Sequence, residues 1–417
     1  MAYKLRVWSK LLLFFSSITW GSSISTLGDI FTIVGPLKYG DMAIFIVLFT
    51  ALCSSKFRSA FVFCIRQYSG FVVLLAALVL LTAASIFASY LDGVTYINDH
   101  LFVVLRLIYY AILTMSIATF VLYFDCERII LNGLLIGIAA VSLTTIFYAI
   151  TTEGLMIGSY YKISTEFGAN PLATYISILL PISLCYAAYE KVGYIRNMHR
   201  VVVGVLLVTV MMTFAKGAWL TIIIACAIYF VLRMYRFGNM NIKVVLAVFV
   251  LLAIILIIFG KDIVSMGALE INASKGNTSE RIEKYKEAFE IFSDNPVIGI
   301  GAQNFPVNDP HTSYGQMLAE VGILGALCLM GIFLYSLLCS KRLLTLSRKV
   351  NLIRECEPTI LFLCVISLLV EALFTGLVLS MHLFWLITGM VFGLYARNRL
   401  YLKHNQCGVL VPSIVTK

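Results

Sequence analysis

Long apolar runs separated by short charged segments are the feature that most constrains this chain. A helix needs about 20 apolar residues to cross the roughly 30 Å hydrocarbon core of a bilayer. The runs lie near 11–34, 41–54, 69–90, 101–124, 129–150, 170–189, 201–215, 218–232, 244–260, 321–339, 359–379 and 381–396. The segments at 41–54, 201–215 and 218–232 are short, which leaves open whether they span fully. The pattern predicts an all-α, polytopic membrane protein with about 12 transmembrane helices.

Composition agrees with a single integral membrane domain over residues 1–417. Hydrophobic residues make up 61% of the chain and charged residues 12%, whereas about a quarter of a soluble protein is charged. Lys4, Arg6 and Lys10 precede the first apolar run, as they would in a signal peptide. That run lacks a clean small-residue cleavage site, so we interpret it as the first membrane helix. The net charge of +10 would suggest nucleic acid in a soluble protein, but here membrane topology explains the basic residues and no nucleic-acid partner is expected.

The positions of the basic residues predict the orientation. Short loops that carry Lys and Arg normally face the cytoplasm. With twelve crossings, the clusters fall on the side of both termini, which predicts cytoplasmic N and C termini. The clusters are Lys56/Arg58/Arg66, Lys191/Arg196/Arg200, Arg233/Arg236/Lys243 and Lys341/Arg342/Arg348/Lys349/Arg354.

The same topology places one long loop, residues 261–320, on the periplasmic side. Its stretch TSERIEKYKEAFEIFSDNP is amphipathic, with Asn277 as a candidate helix cap and Glu280 three residues later. Apolar residues share one face of the predicted helix: Ile282, Tyr285, Phe289 and Phe292. The following segment VIGIGAQNFPVNDPH is rich in Gly and Pro, which predicts a structured turn. A periplasmic loop with short helices is therefore expected to carry the candidate active-site residues.

Three basic residues and one histidine on the predicted outer side are candidates for chemistry. Lys216 follows a short apolar run, where it either snorkels to water or binds an anionic headgroup. Arg281 lies in the first turn of the loop helix, where the helix dipole disfavours a cation, so a ligand would explain it. Lys284 lies one turn further and belongs either to a solvated face or to the same site. His311 is either a capping neighbour or a general base, since its ordinary pKa is near 6.5.

Two ionisable residues fall inside predicted membrane spans. Arg106 lies six residues into the run 101–124, and Glu371 lies deep in the run 359–379. A charge at mid-membrane costs about 2.5–3.5 kcal/mol on insertion scales, so each should face a polar cavity or a partner. A buried pair between Arg106 and Glu371 is one possible arrangement.

The sequence offers no metal-binding or nucleotide-binding motif. Its ten cysteines include no CxxC pair, and its five histidines are widely spaced. A phosphate-binding P-loop and a GxGxxG turn after a strand are also missing. We therefore expect neither a metal nor another cofactor, and a substrate that arrives already activated.

Several motifs resemble the O-antigen ligase and O-antigen polymerase superfamily. The resemblance covers roughly 210–340, and the segment FGANPLATY with Asn170 and Pro171 adds to it. Lysine stands at 216 where the family carries arginine, and Thr312 stands where asparagine often follows the histidine. The matching positions are Thr213, Lys216, Gly217 and Ala218; Arg281; Pro296, Gly299, Gly301 and Phe305; and His311, Glu320, Gly322 and Gly325.

The resemblance implies a metal-independent glycosyltransferase in the bacterial inner membrane, surrounded by membrane lipids. Its donor would be a glycan on undecaprenyl diphosphate, and its acceptor a hydroxyl of a glycan or lipid such as lipid A–core. Lys216 and Arg281 would bind the diphosphate, with Lys284 and Arg106 as further cations. His311 and Arg281 would act in catalysis. A repeat-unit polymerase for O-antigen, exopolysaccharide or capsule would use the same donor, and a transporter of lipid-linked glycans or small molecules is the alternative of another class.

Overall fold

The fold is described from a computed structural model of the full chain. The residues described are 2–21, 32–34, 37–38, 48–49, 52–91, 93, 97–148, 150–151, 169–213, 215–237, 283–302, 304–305, 313–350, 356–374 and 381–406. Within them the chain is helical except for turns and one small antiparallel hairpin of β1 (Thr32–Val34) and β2 (Leu37–Lys38). The prediction of a helical membrane protein is confirmed at this level.

Eleven numbered helices and one loop helix build the described part of the chain. Residues 283–294 form the loop helix. The numbered helices are α1 (Ala2–Gly21), α2 (Ser55–Gln67), α3 (Ser69–Leu91), α4 (Ile97–Phe124), α5 (Glu127–Tyr148), α6 (Ala169–Tyr189), α7 (Gly193–Thr213), α8 (Lys216–Phe237), α9 (Ser313–Val350), α10 (Cys356–Glu371) and α11 (His382–Gln406).

Helix α11 lies at the centre of the bundle and packs against α4, α9 and α10. Its closest approach is to α4, at Gly389 and Gly393, which are spaced as a GxxxG motif. A Cβ atom on Gly393 would lie 2.4 Å from the Ala118 carbonyl oxygen, and one on Gly389 would lie 2.6 Å from the Thr114 carbonyl oxygen. Small residues are therefore needed there, because they let the two backbones come together.

The peripheral helices expose apolar side chains instead of polar ones. Leu80 and Phe87 of α3, Val208 of α7 and Ile223 of α8 are all exposed. A soluble protein would bury such residues, so these faces are suited to contact lipid. Seven described helices are long and apolar enough to cross a membrane, and a shorter apolar helix covers Val7–Trp20. The described residues thus support a multi-span protein, while the total of about 12 stays a prediction.

Several helix boundaries differ from the apolar runs. The first run does not continue as helix to residue 34, because α1 ends at Gly21 and residues 32–34 form β1. Helices α7 and α8 are longer than the runs 201–215 and 218–232, since each includes polar residues at one end, and both are long enough to span. Helix α10 ends at Glu371 and a turn covers 372–374. The run 244–260 lies outside the described residues.

Side-chain contacts join the helix ends on one side of the bundle. Arg397 of α11 donates to Glu127 at 2.8 Å and also pairs with Asp125, between α4 and α5. Lys10 donates to the Asp125 carbonyl oxygen at 3.3 Å. These ends are ones that the topology assigns to the cytoplasm, and their cytoplasmic location stays a prediction. The ends on the other side, here called the loop side, carry the candidate site.

Candidate active site

Glu371 ends α10 on the loop side and is buried. Its carboxyl oxygens accept hydrogen bonds from Ser177 Oγ at 2.6 Å and from Thr174 Oγ1 at 3.0 Å, both on α6. The hydroxyl of Thr221 on α8, which donates to the Gly217 carbonyl oxygen at 3.0 Å, lies beside the same carboxyl group. A buried carboxyl group is costly without hydrogen-bond partners, so these hydroxyls make its position possible. One acidic side chain therefore connects three helices.

The hairpin between α7 and α8 packs on the turn that follows Glu371. A Cβ atom on Gly217 would lie 3.1 Å from the Phe374 Cβ atom, which shows how closely the hairpin approaches this turn. Lys216 is the first residue of α8. A cation at a helix N-terminus opposes the helix dipole, so helix stability alone does not explain a lysine there. An anionic ligand would remove that conflict.

The start of α9 meets the same turn. The Ser313 amide donates to the Ala372 carbonyl oxygen at 3.1 Å. Ser313 is buried and is the first residue of α9, two residues after His311 in the sequence. The turn 372–374 is therefore the point where α8, α9 and α10 come together.

The Gly-rich turn after the loop helix inserts its backbone into a break in α9. In an unbroken α-helix the Ile323 amide would donate to the Ala319 carbonyl oxygen. Here the Ile323 amide donates to the Pro296 carbonyl oxygen at 2.9 Å instead. The freed Ala319 carbonyl oxygen accepts from the Ile300 amide at 3.0 Å. The turn thus replaces the missing helical hydrogen bonds with its own.

Two glycines make this exchange sterically possible. Gly322, at the break in α9, has φ 72° and ψ −171°, a conformation that is essentially restricted to glycine. A Cβ atom on Gly322 would lie 2.4 Å from the Val297 carbonyl oxygen, and one on Gly299 would lie 2.4 Å from the Glu320 carbonyl carbon. The backbone of the PxxGxG motif, residues 296–301, therefore packs directly on that of the ExG motif, residues 320–322. We call this backbone contact the joint.

A cavity of about 480 Å³ opens beside this joint, at the loop-side end of α3. Asn304 lines it and donates from Nδ2 to Ser89 Oγ at 2.6 Å and to the Ile300 carbonyl oxygen at 2.7 Å. These bonds fasten the turn to α3, so the joint is held against two membrane helices.

The side of the loop helix that packs against the protein is not the one that carries Tyr285 and Phe289. Tyr285 and Phe289 are exposed, whereas Lys284 and Ala288 are buried. Apolar spacing indicated the helix correctly but did not determine which side faces inward. Lys284 is therefore not on a solvated face, and the aromatic side chains point away from the protein core.

Arg106 is half-buried on α4. Its Nε atom is buried without a hydrogen-bond partner. Tyr110 lies one helical turn away on the same face of α4, and its ring meets the His382 ring at 5.3 Å between centroids. Arg106 and Glu371 form no ion pair, and hydroxyl groups occupy the carboxylate oxygens instead. The suggested pairing of these two residues is wrong.

The structure thus locates some of the predicted site residues and not others. His311 and Arg281 lie outside the described residues, as does the side chain of Lys216. Sequence reasoning missed Thr174 and Ser177, although two hydroxyl residues three apart in an apolar span were a usable signal. Within the described residues, no group of three or more His, Cys, Asp or Glu side chains could hold a metal ion.

Comparison with known proteins identifies the segment around this site. Residues 201–330 match the family model described as O-antigen ligase. The matched segment contains the second part of α7, the hairpin with Lys216, the loop helix, the Gly-rich turn and the first part of α9. The match confirms the resemblance to the O-antigen ligase and polymerase superfamily. No curated protein matches the chain.

Proposed function

From the match of residues 201–330 to the O-antigen ligase family, we propose that this protein is a membrane glycosyltransferase. It transfers a saccharide from undecaprenyl diphosphate to an acceptor hydroxyl, such as one on lipid A–core, at the periplasmic face. The membrane is the bacterial inner membrane. The match itself supports an O-antigen ligase or polymerase type of function.

The convergence of three helix ends at the turn 372–374 is the observation that carries the proposal. Lys216 begins α8 beside Phe374, and Ser313 begins α9 beside Ala372. His311 precedes Ser313 by two residues in the sequence. We therefore assign a basic residue and a histidine from distant parts of the sequence to one site.

In the proposed site the cations bind the donor diphosphate. Lys216 lies at a helix N-terminus, where backbone amides also favour an anion. Arg281 precedes the described loop helix by two residues and provides a planar, bidentate donor. Lys284 is buried on the side of that helix that faces the protein, which favours a role near the site over a solvated one. Arg106 remains a further candidate cation, on α4 one helical turn before Tyr110.

The transfer step needs no oxidant, reductant or metal. The acceptor oxygen attacks the anomeric carbon and forms the new glycosidic bond, while the bond from that carbon to the diphosphate oxygen breaks. The diphosphate leaves with the electron pair, and the cations stabilise its charge. The acceptor proton passes to His311 as general base. Inversion at the anomeric carbon is the expected stereochemistry.

Glu371 acts in this proposal as a positioning residue. Its hydrogen bonds to Thr174 and Ser177 hold α10 against α6. Thr221 of α8 lies beside the same carboxyl group, five residues after Lys216, so α8 packs against α10 close to the helix start that presents the lysine. Glu371 thus positions the helices of the proposed site and does not itself contact the diphosphate.

The experiment that tests the proposal measures glycan transfer by purified protein from a lipid-linked donor. Lys216→Met keeps the apolar stem and removes the charge, so one charge-assisted hydrogen bond, about 1.5–3 kcal/mol, is lost. Turnover should fall roughly 10- to 150-fold if that bond tightens in the transition state. Lys216→Arg should retain activity or raise it through bidentate contact. The matched control is Lys191→Met, an exposed lysine between α6 and α7, which should transfer at the wild-type rate.

Equal rates for the wild type and Lys216→Met would remove Lys216 from the donor site.

The acceptor distinguishes the two forms of the function. Product on lipid A–core indicates a ligase, whereas growth of the lipid-linked chain in the absence of lipid A–core indicates the polymerase alternative. Movement of the lipid-linked glycan across vesicles without any new glycosidic bond would instead favour a transporter.

A further inference from the structure

The loop helix and the turn after it expose an apolar surface that the active-site proposal does not use. Phe289 is 65% exposed and Tyr285 is 41% exposed. In the turn, Val297 is 54% exposed and Ile298 is 39% exposed. We call these four residues the aromatic edge. Exposure of such an apolar cluster to water is unfavourable, so we ask what the cluster contacts.

The loop helix has three distinct sectors around its axis. Each residue advances about 100° around an α-helix. Lys284 and Ala288 fall about 40° apart and are buried. Tyr285 and Phe289 form the next sector and are exposed, and the remaining sector carries charges. The charged residues are Glu283, Lys286, Glu290 and Asp294. An apolar sector next to a charged one is the pattern of a helix that lies in a membrane interface.

The joint with α9 fixes the depth of the aromatic edge. The Ile323 amide bonds to the Pro296 carbonyl oxygen, so Val297 and Ile298 lie at the level of Ile323. From Ile323 to Ser340 the helix carries no charge, and Lys341 follows. These 18 uncharged residues are roughly 27 Å long at about 1.5 Å per residue, which is close to the hydrocarbon thickness of a bilayer. Ile323 therefore lies near the loop-side boundary of the hydrocarbon region.

The aromatic edge continues the apolar exposed surface of the neighbouring membrane helices. Leu324 and Leu327 of α9 are exposed below the joint. On α3, which the turn contacts through Ser89, the exposed residues near the loop-side end include Phe87, Tyr90 and Leu91. Tyrosine and tryptophan are enriched at this level of membrane proteins, because their rings are apolar and their tips polar.

We propose that the aromatic edge inserts into the lipid leaflet on the loop side of the membrane. Tyr285, Phe289, Val297 and Ile298 contact acyl chains and glycerol groups, while Glu283, Lys286 and Glu290 face water. The predicted periplasmic loop is then an interfacial element over residues 283–298 and not a soluble one. This placement holds the loop helix at headgroup depth, and it does not require transferase activity.

Tryptophan fluorescence in nanodiscs tests the insertion. Phe289→Trp places a reporter in the aromatic edge, and Glu290→Trp places a matched reporter about 100° away in the charged sector. The emission of the wild type, which contains four tryptophans, is subtracted. Both substitutions are at exposed positions, so folding should be preserved, and monodisperse elution of each variant checks this. Lipids brominated near the glycerol end and aqueous acrylamide serve as quenchers.

Brominated lipid should quench the reporter at 289 at least twice as strongly as the reporter at 290, and acrylamide should show the reverse order. The emission maximum at 289 should lie at shorter wavelength. Quenching of both reporters by acrylamide and of neither by lipid would overturn the proposal. Equal lipid quenching at both positions would overturn the assignment of the inserted face. Loss of transfer activity in other variants would change neither result, so this test and that of the function can fail separately.

Discussion

Substitution of Gly322 by alanine should break the joint between the Gly-rich turn and α9. The conformation at Gly322, φ 72° and ψ −171°, costs a residue with a side chain about 1–3 kcal/mol. The added methyl group would also lie 2.4 Å from the Val297 carbonyl oxygen, and overpacking of this kind costs about 1–3 kcal/mol. We expect Gly322→Ala to lower the free energy of unfolding by about 2–6 kcal/mol.

The functional effect should exceed that of an equal loss of stability elsewhere. The turn and α9 share hydrogen bonds through Pro296, and α9 begins at Ser313 beside the candidate site. Displacement of the turn should therefore reduce glycan transfer even at temperatures where the variant stays folded.

Thermal unfolding in detergent and transfer from a lipid-linked donor measure the two effects. Gly204→Ala in α7 is the matched control, because a Cβ atom there would meet no atom within 4 Å. This variant should unfold at nearly the wild-type temperature and keep its activity. Wild-type stability and activity in Gly322→Ala would refute the reasoning, since they would mean that the backbone at this position tolerates a side chain.

The remaining predictions concern catalysis, topology and the opposite side of the bundle. Arg281→Ala should abolish transfer while the protein still accumulates in the membrane, and Arg281→Lys should recover little because lysine lacks the planar fork; full activity would exclude the residue. Alkaline phosphatase fused after Asn304 should be active and after Arg348 inactive, and the reverse result would overturn the orientation. Arg397→Met should lower the free energy of unfolding by about 3–5 kcal/mol in a denaturation assay, because it leaves the buried Glu127 carboxylate without its ion-pair partner, whereas Arg399→Met at an exposed position should have little effect.

The class of protein and most of its helices follow from the amino-acid sequence. Apolar runs without charges cannot remain in water, and helices satisfy their own backbone hydrogen bonds in lipid. The runs at 69–90, 101–124, 129–150 and 170–189 correspond closely to α3 (Ser69–Leu91), α4 (Ile97–Phe124), α5 (Glu127–Tyr148) and α6 (Ala169–Tyr189). The motifs from Thr213 to Gly325 were also sufficient to recognise the family that the match identifies.

How those motifs contact one another depends on the packing of the helices and could not be predicted from the sequence. Helical periodicity states which residues share a face, but it does not state what that face touches. The sequence therefore grouped Tyr285 with Phe289 correctly, and only the fold showed that Lys284 lies inward instead. The hydrogen bond from the Ile323 amide to the Pro296 carbonyl oxygen could not be predicted from the sequence, because it joins segments more than 20 residues apart through backbone atoms. The hydrogen bonds from Thr174 and Ser177 of α6 to Glu371 could not be predicted either, because the contacts between helices depend on how the helices pack and not on their order in the chain.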